Sequence, residues 1–190
     1  MSLEVINLVK VYDTQKAVNQ ISFVAPQGKI TGFLGPNGAG KSTTLKIATG
    51  FMRSTSGDVL VNGISVTNNP MKVKRTVGYL PENNPMYLDM YVKEYLDFIG
   101  KTYEIDRQSR QNRIFELLEL CGLTTERHKK LRMLSKGYRQ RVGLAKALMP
   151  DHSVLILDEP MTGLDPNQIV EIRNVIKKIA SEKTVILSTH

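Results

Sequence analysis

The sequence predicts an α/β fold: a mainly parallel β-sheet, an antiparallel β subdomain at its N-terminal end, and a block of helices inserted between sheet strands. Three observations carry this expectation. Short apolar runs bounded by turn residues fill residues 2–80. Helical periodicity takes over between Asn84 and Pro150. Two unbroken apolar runs, Val154–Leu157 and Thr184–Leu187, then follow with a helical pattern between them, the mark of parallel strands buried on both faces.

Taken in order, Leu3–Val11 and Ile21–Val24 read as two strands joined by a turn at Tyr12-Asp13-Thr14-Gln15. Pro26-Gln27-Gly28 is a second turn, and Ile30–Leu34 reads as a short buried strand. A helix is expected from Lys41 to Phe51. Asp58–Asn62 is a strand closed by Asn62-Gly63, and Val77–Leu80 is another, ended by Pro81. In the helical block, Ile114, Leu117, Leu118 and Cys121 fall on one face, with Gly122 as the C-terminal cap. Val142, Ala145, Leu148 and Met149 repeat that spacing. The last helix has Asp165 as N-cap, Pro166 at its first position and Gln168 completing a capping box, with Ile169, Ile172, Ile176 and Ile179 as its buried stripe. Helix and flanking strands form a crossover unit. The whole is read as one domain, 1–190, with a helical insertion at about 84–150.

The strand at Ile30–Leu34 and the helix at Lys41 enclose Gly35-Pro36-Asn37-Gly38-Ala39-Gly40-Lys41-Ser42-Thr43. Gly35 to Ser42 fits G-x-x-x-x-G-K-[ST], and the context is the one this chemistry needs. A strand delivers a glycine loop whose N–H groups cradle phosphate oxygens. The helix that follows aims its unsatisfied N–H groups at the same anion. Gly38 and Gly40 permit the close approach, Lys41 supplies charge to the β- and γ-phosphates, and Ser42 supplies a hydroxyl for Mg²⁺. A plain glycine turn is the alternative, which the strand–loop–helix order disfavours.

A second constellation closes the strand at Val154. Asp158 and Glu159 end it, and a carboxylate there can hold Mg²⁺ beside a phosphate loop while its neighbour polarises an attacking water. Asp158 is the metal-side acid and Glu159 the general base in this reading.

Composition narrows the partners. The 190 residues suffice for one core, and the single cysteine, Cys121, excludes an internal disulfide and sits at an apolar helix position. No apolar run approaches the roughly 18 residues of a membrane helix. The formal charge of +8 allows an anionic partner, yet a phosphate site accounts for part of it. The densest basic run, Arg127–Arg132, has no interleaved aromatics and reads as a solvated face, so no nucleic acid is expected as a partner.

With these residues in view, the chain resembles the ATP-binding subunits of ABC transporters. Leu134-Ser135-Lys136-Gly137-Tyr138-Arg139-Gln140-Arg141 is similar to that family's signature, Met161–Asp165 to its D-loop, and His190 to its switch histidine. The resemblance implies a P-loop NTPase fold of RecA-like type, with ATP and Mg²⁺ as cofactors. It implies a head-to-tail dimer in which a second ATPase subunit covers each ATP. Ser135 and Gly137 would then bind the γ-phosphate across the interface, Tyr12 would stack on adenine, and His190 would help hold the water. Glu82 stands where the family has a Mg²⁺-contacting glutamine. Lys136 and Tyr138 also depart from the family's Leu-Ser-Gly-Gly-Gln. Family members continue beyond the equivalent of His190, which implies a C-terminally truncated chain.

Gly78–Glu82 together with Leu134–Tyr138 most resembles ABC-2-type exporters, gliding-motility ATP-binding subunits in particular. A membrane-spanning permease subunit as partner, and a cytoplasmic position on the inner face of the membrane, follow from the resemblance. The different-class alternative is a soluble ABC ATPase acting on nucleic acid or ribosomes.

Overall fold

The computed structural model describes residues 2–189. They fall into two compact units, one formed by residues up to Tyr79, His152–Pro160 and Lys177 onward, the other by Leu80–Asp151 and Met161–Ile176.

The first unit holds two sheets. Strands β1 (Leu3–Tyr12) and β2 (Gln15–Ala25) form an antiparallel hairpin, and β1 also pairs with β4 (Ser56–Val61), which turns back into the short β5 (Ile64–Ser65). The turn between β4 and β5 is Asn62-Gly63, with φ of 50° and 76°. Left-handed angles at both residues are what a two-residue hairpin needs, and Asn-Gly supplies them at least cost.

The second sheet has the order β3-β8-β7-β6, where β3 is Ile30–Leu34, β6 Val77–Leu80, β7 Val154–Leu157 and β8 Thr184–Thr189. Strand β8 lies parallel to both β3 and β7. Every residue of β7 is buried, as its unbroken apolar run requires. The expectation that Ile30–Leu34 is buried is corrected. Among the described residues strand β3 pairs with β8 alone, at the edge of this sheet, and Ile30 is 39% and Leu34 75% exposed. The core beneath the sheets joins Leu3, Val5, Leu8, Val59 and Val61 to Leu45 and Ile47 of α1 (Lys41–Ala48) and to Val154, Ile156 and Ile186. Helix α1 stops at Ala48, short of the expected Phe51. Gly50 has φ of 71° and Phe51 stands exposed. Helix α2 (Pro70–Lys74) completes this unit.

In the second unit, α3 (Val92–Thr102), α4 (Arg107–Leu120) and α5 (Lys136–Leu148) pack pairwise on one another. Ile114, Leu117, Leu118, Val142, Ala145 and Leu148 are buried as their spacing predicts. Asp106 caps α4 by accepting from the N–H groups of Gln108 and Ser109, both at 3.0 Å. Gly122, with φ of 63°, closes the same helix just past its C-cap Cys121. Burial pushes the Cys121 thiol up to about 12, only partly offset by Arg141 and Arg113, so it is a packing residue. Arg110, itself buried, joins α4 to α3 through Asp97 at 2.7 Å. The basic run beyond α4 is mostly exposed, with Lys129 paired to Glu126 and Arg132 to Asp89.

Helix α6 (Pro166–Ala180) starts in the second unit and ends in the first. Asp165 caps it, accepting from Gln168 N at 3.0 Å. That bond is one half of the expected capping box, and the Gln168 amide lies against Gly137. Ile172, Ile176 and Ile179 are buried, and Ile169 is half-buried.

Candidate functional site

The glycine loop leads from β3 into α1 with Pro36–Ala39 exposed at its apex. Gly40 is the N-cap of α1 at φ 86°, and any β-carbon there would overlap the carbonyl oxygen of Ala17. Glycine is therefore required twice over, by the left-handed angle and by the approach of β2. Lys41 is only 6% exposed. Its Nζ donates to the carbonyls of Gly35 at 2.7 Å and Pro36 at 3.2 Å, so the ammonium lies folded into the loop it serves. Thr43 follows, half-buried, and Gly35 opens the loop at the end of β3.

The second constellation meets the first here. Ser42 Oγ donates to Asp158 Oδ1 at 2.9 Å, although the two residues are far apart in sequence. Asp158 is 1% exposed and accepts a second bond from Ser188 Oγ at 2.8 Å. Ser188 in turn accepts from the backbone N–H of Glu159 at 2.8 Å. Glu159 itself has φ of 50°, a left-handed angle that a non-glycine residue adopts only when its surroundings compel it. Its carboxylate reaches Lys41 Nζ at 3.5 Å. Ser42 and Asp158 thus offer a hydroxyl and a carboxylate oxygen at one point, a hard oxygen pair that fits Mg²⁺ with its remaining positions left to phosphate and water.

Sequence reasoning missed the role of Ser188. The available signal was a polar residue closing the apolar run of β8, parallel to the strand that ends in Asp158. A serine 0% exposed at such a place must find partners.

Tyr12 ends β1 and is 43% exposed. Its hydroxyl donates to Met52 Sδ at 2.8 Å, and Lys10 Nζ stands 5.1 Å from the ring centroid. The hairpin it closes is the one whose Ala17 backbone abuts Gly40, and Lys10 stands over one face of the ring.

Glu82, Ser135 and Gly137 belong to the second unit. Glu82 is exposed just after β6. Ser135 is the N-cap of α5, its Oγ accepting from Tyr138 N at 3.3 Å. Gly137 is buried, and its missing side chain is replaced by the Gln168 amide. Lys136 turns its ammonium to Gly163 of the segment that resembles the D-loop. Tyr138 stacks with Arg141, whose guanidinium carbon lies 5.4 Å from the ring centroid. His190 lies outside the described residues.

The family model described as ABC transporter matches residues 18–162. This chain belongs to the ABC transporter family. Among ABC relatives, an uncharacterized ABC transporter ATP-binding protein of Synechocystis is 40% identical over 99% of this chain and 55% of its own length. The bacitracin transport ATP-binding protein BcrA of Bacillus licheniformis is 38% identical over 97% of this chain and 60% of its own. A solved ATP-binding subunit of an ABC transporter superposes with a TM-score of 0.88 at 29% identity, covering 100% of this chain and 80% of the other. The chain thus spans somewhat over half the length of these curated ABC relatives. Among the described residues no helix is long and apolar enough to cross a membrane.

Proposed function

We propose that this chain is the ATP-binding and ATP-hydrolysing part of an ABC transporter subunit that powers an exporter. The observation that carries the reading is the cluster in which Lys41, Ser42, Asp158 and Glu159 meet beneath the glycine loop. The N–H groups of Gly38–Thr43 and the start of α1 bind the phosphates. Lys41 leaves the loop carbonyls for the β- and γ-phosphate oxygens. Ser42 and Asp158 would hold Mg²⁺, which supplies a Lewis acid for the charge that develops on the transferred phosphoryl group. Glu159, no longer held by Lys41, accepts a proton from the attacking water. Ser135 and Gly137 act on the ATP of a second subunit in a head-to-tail dimer, and Glu82 would offer a further oxygen for Mg²⁺.

The partner in this reading is a membrane-spanning permease, with the ATPase on the cytoplasmic face. The likeness to BcrA, which is named for bacitracin transport, supports an ABC-2-type exporter. A link to gliding motility rests on the signature resemblance alone. The test uses the full-length protein with ATP and Mg²⁺. Phosphate release that stops on chelation of the metal supports the reading, and a protein that binds ATP without turnover overturns it. Co-purification with a multi-helix membrane protein supports transport, whereas RNA or DNA in its place would favour the soluble alternative.

A further inference from the structure

Asn84 lies in the segment that follows Glu82 and is half-buried. Its Oδ1 accepts a bond from Lys146 Nζ at 3.0 Å, while its Nδ2 is buried with no hydrogen-bond partner. The amide rests on Gly143, where any β-carbon would overlap Nδ2 and would lie 2.7 Å from Leu80 Cδ1. Gly143 and Lys146 occupy neighbouring turns of α5, the helix that Ser135 caps. All of these residues belong to the second unit.

The arrangement is unusual in two ways. Glycine in a helix interior is unfavourable relative to alanine, and at Gly143 it is the seat of Asn84 and the approach of Leu80 that call for one. The polar contact is also under-satisfied on the Asn84 side. Asn84 keeps an orphaned donor, and burial holds the Lys146 ammonium below the usual lysine range. A close steric fit joined by an under-satisfied polar contact fixes position well, yet gives way more readily than a fully bonded one.

We propose that Asn84, seated on Gly143 and bonded to Lys146, is a releasable clip that positions the segment following Glu82 on the helix that begins at Ser135. Displacement of either one during the ATP cycle is thereby passed to the other. Asn84 and Lys146 are positioning residues and touch no nucleotide. The inference rests on the ATPase reading above, in which Glu82 and Ser135 both act at bound ATP.

The experiment uses the full-length protein with ATP and Mg²⁺, and compares Asn84→Ala, Lys146→Met, the double variant and Asn84→Asp. Methionine keeps the lysine stem, so packing on α5 survives. The expected result is a kcat lowered roughly 2- to 30-fold in each single variant with KM for ATP unchanged. The double variant should be no worse than either single one, because one contact is lost in all three. Asn84→Asp should pair with Lys146 as ions, raising thermal stability while lowering turnover, since the clip no longer releases. Wild-type kcat in folded Asn84→Ala and Lys146→Met overturns the proposal. So does an Asn84→Asp protein that gains stability and keeps full turnover, which marks a contact of purely structural value. A wild-type protein without any hydrolysis defeats the ATPase reading instead.

Discussion

Lys41 Nζ and Glu159 Oε1 lie 3.5 Å apart, with 6% and 8% of their side chains exposed. The side chains proposed to act on the γ-phosphate and on water thus lie against each other. In the proposed mechanism, phosphates that draw Lys41 away would free Glu159 for the attacking water.

Lys41→Ala is expected to weaken ATP binding by about 1.5–3 kcal/mol, the worth of a hydrogen bond to a charged group. The fold should survive, because Lys41 is no part of the hydrophobic core. Equilibrium ATP titration with circular dichroism as a folding control checks this, and unchanged affinity would remove Lys41 from the site.

Glu159→Gln should lower hydrolysis by about 100-fold or more, the typical effect of losing a general base. Glutamine keeps the shape, so the strained backbone at φ 50° and the bond from Glu159 N–H to Ser188 remain. ATP then persists, and the full-length variant should form an ATP-dependent dimer on size-exclusion chromatography, absent with ADP. A variant that loses hydrolysis yet stays monomeric with ATP would keep the base and count against the shared site.

Ser188→Ala should destabilise the first unit by about 1–3 kcal/mol, because Glu159 N–H and Asp158 Oδ1 both lose a partner inside a dry strand end. Activity should fall as well, since Ser188 holds the Asp158 carboxylate and the backbone of Glu159. Chemical denaturation and a steady-state ATPase assay read the two effects separately. Loss of neither would make Ser188 a bystander.

Tyr12→Ala should weaken ATP and ADP binding by a similar factor, about 1–3 kcal/mol for a lost base–aromatic stack. One face of the ring already holds Lys10, so the adenine has the other. A variant that loses stability but keeps affinity would show that the ring serves the sheet and Met52 alone.

Tyr87, Leu88 and Tyr91 are 59%, 45% and 47% exposed, although Tyr87 sets its ring edge-on to Phe98 at 5.4 Å. The expectation is that this apolar face meets the permease. Glutamate at Leu88 or Tyr91 should leave hydrolysis by the isolated subunit unchanged and abolish its stimulation by the membrane partner in reconstituted vesicles. Intact stimulation in both variants would place the contact elsewhere.

Much of this protein is legible in its residue order, and for local reasons. The glycine loop, the strand before it, the Asn62-Gly63 hairpin, the caps at Asp165 and Gly122, and the buried stripes of α4 and α5 each depend on residues a few positions apart. Backbone angles and side-chain period act over that range. What lay beyond it was decided by tertiary structure. The exposure of β3 follows from its place at the sheet edge, and no property of Ile30–Leu34 itself reveals that place. The turn of Gln168 toward Gly137 and of Lys136 toward Gly163 depends on segments brought together only by folding. The same holds for the site. The sequence by itself named Lys41, Ser42, Asp158 and Glu159 as chemistry-bearing groups, because their motifs are short. Only the parallel pairing of β7 with β8, and the packing of α1 beneath the same sheet, placed Ser42 on Asp158, Ser188 under Glu159 and Lys41 against the base. Those are contacts across the whole length of the chain, where burial forces polar groups to find one another and local propensity has no say.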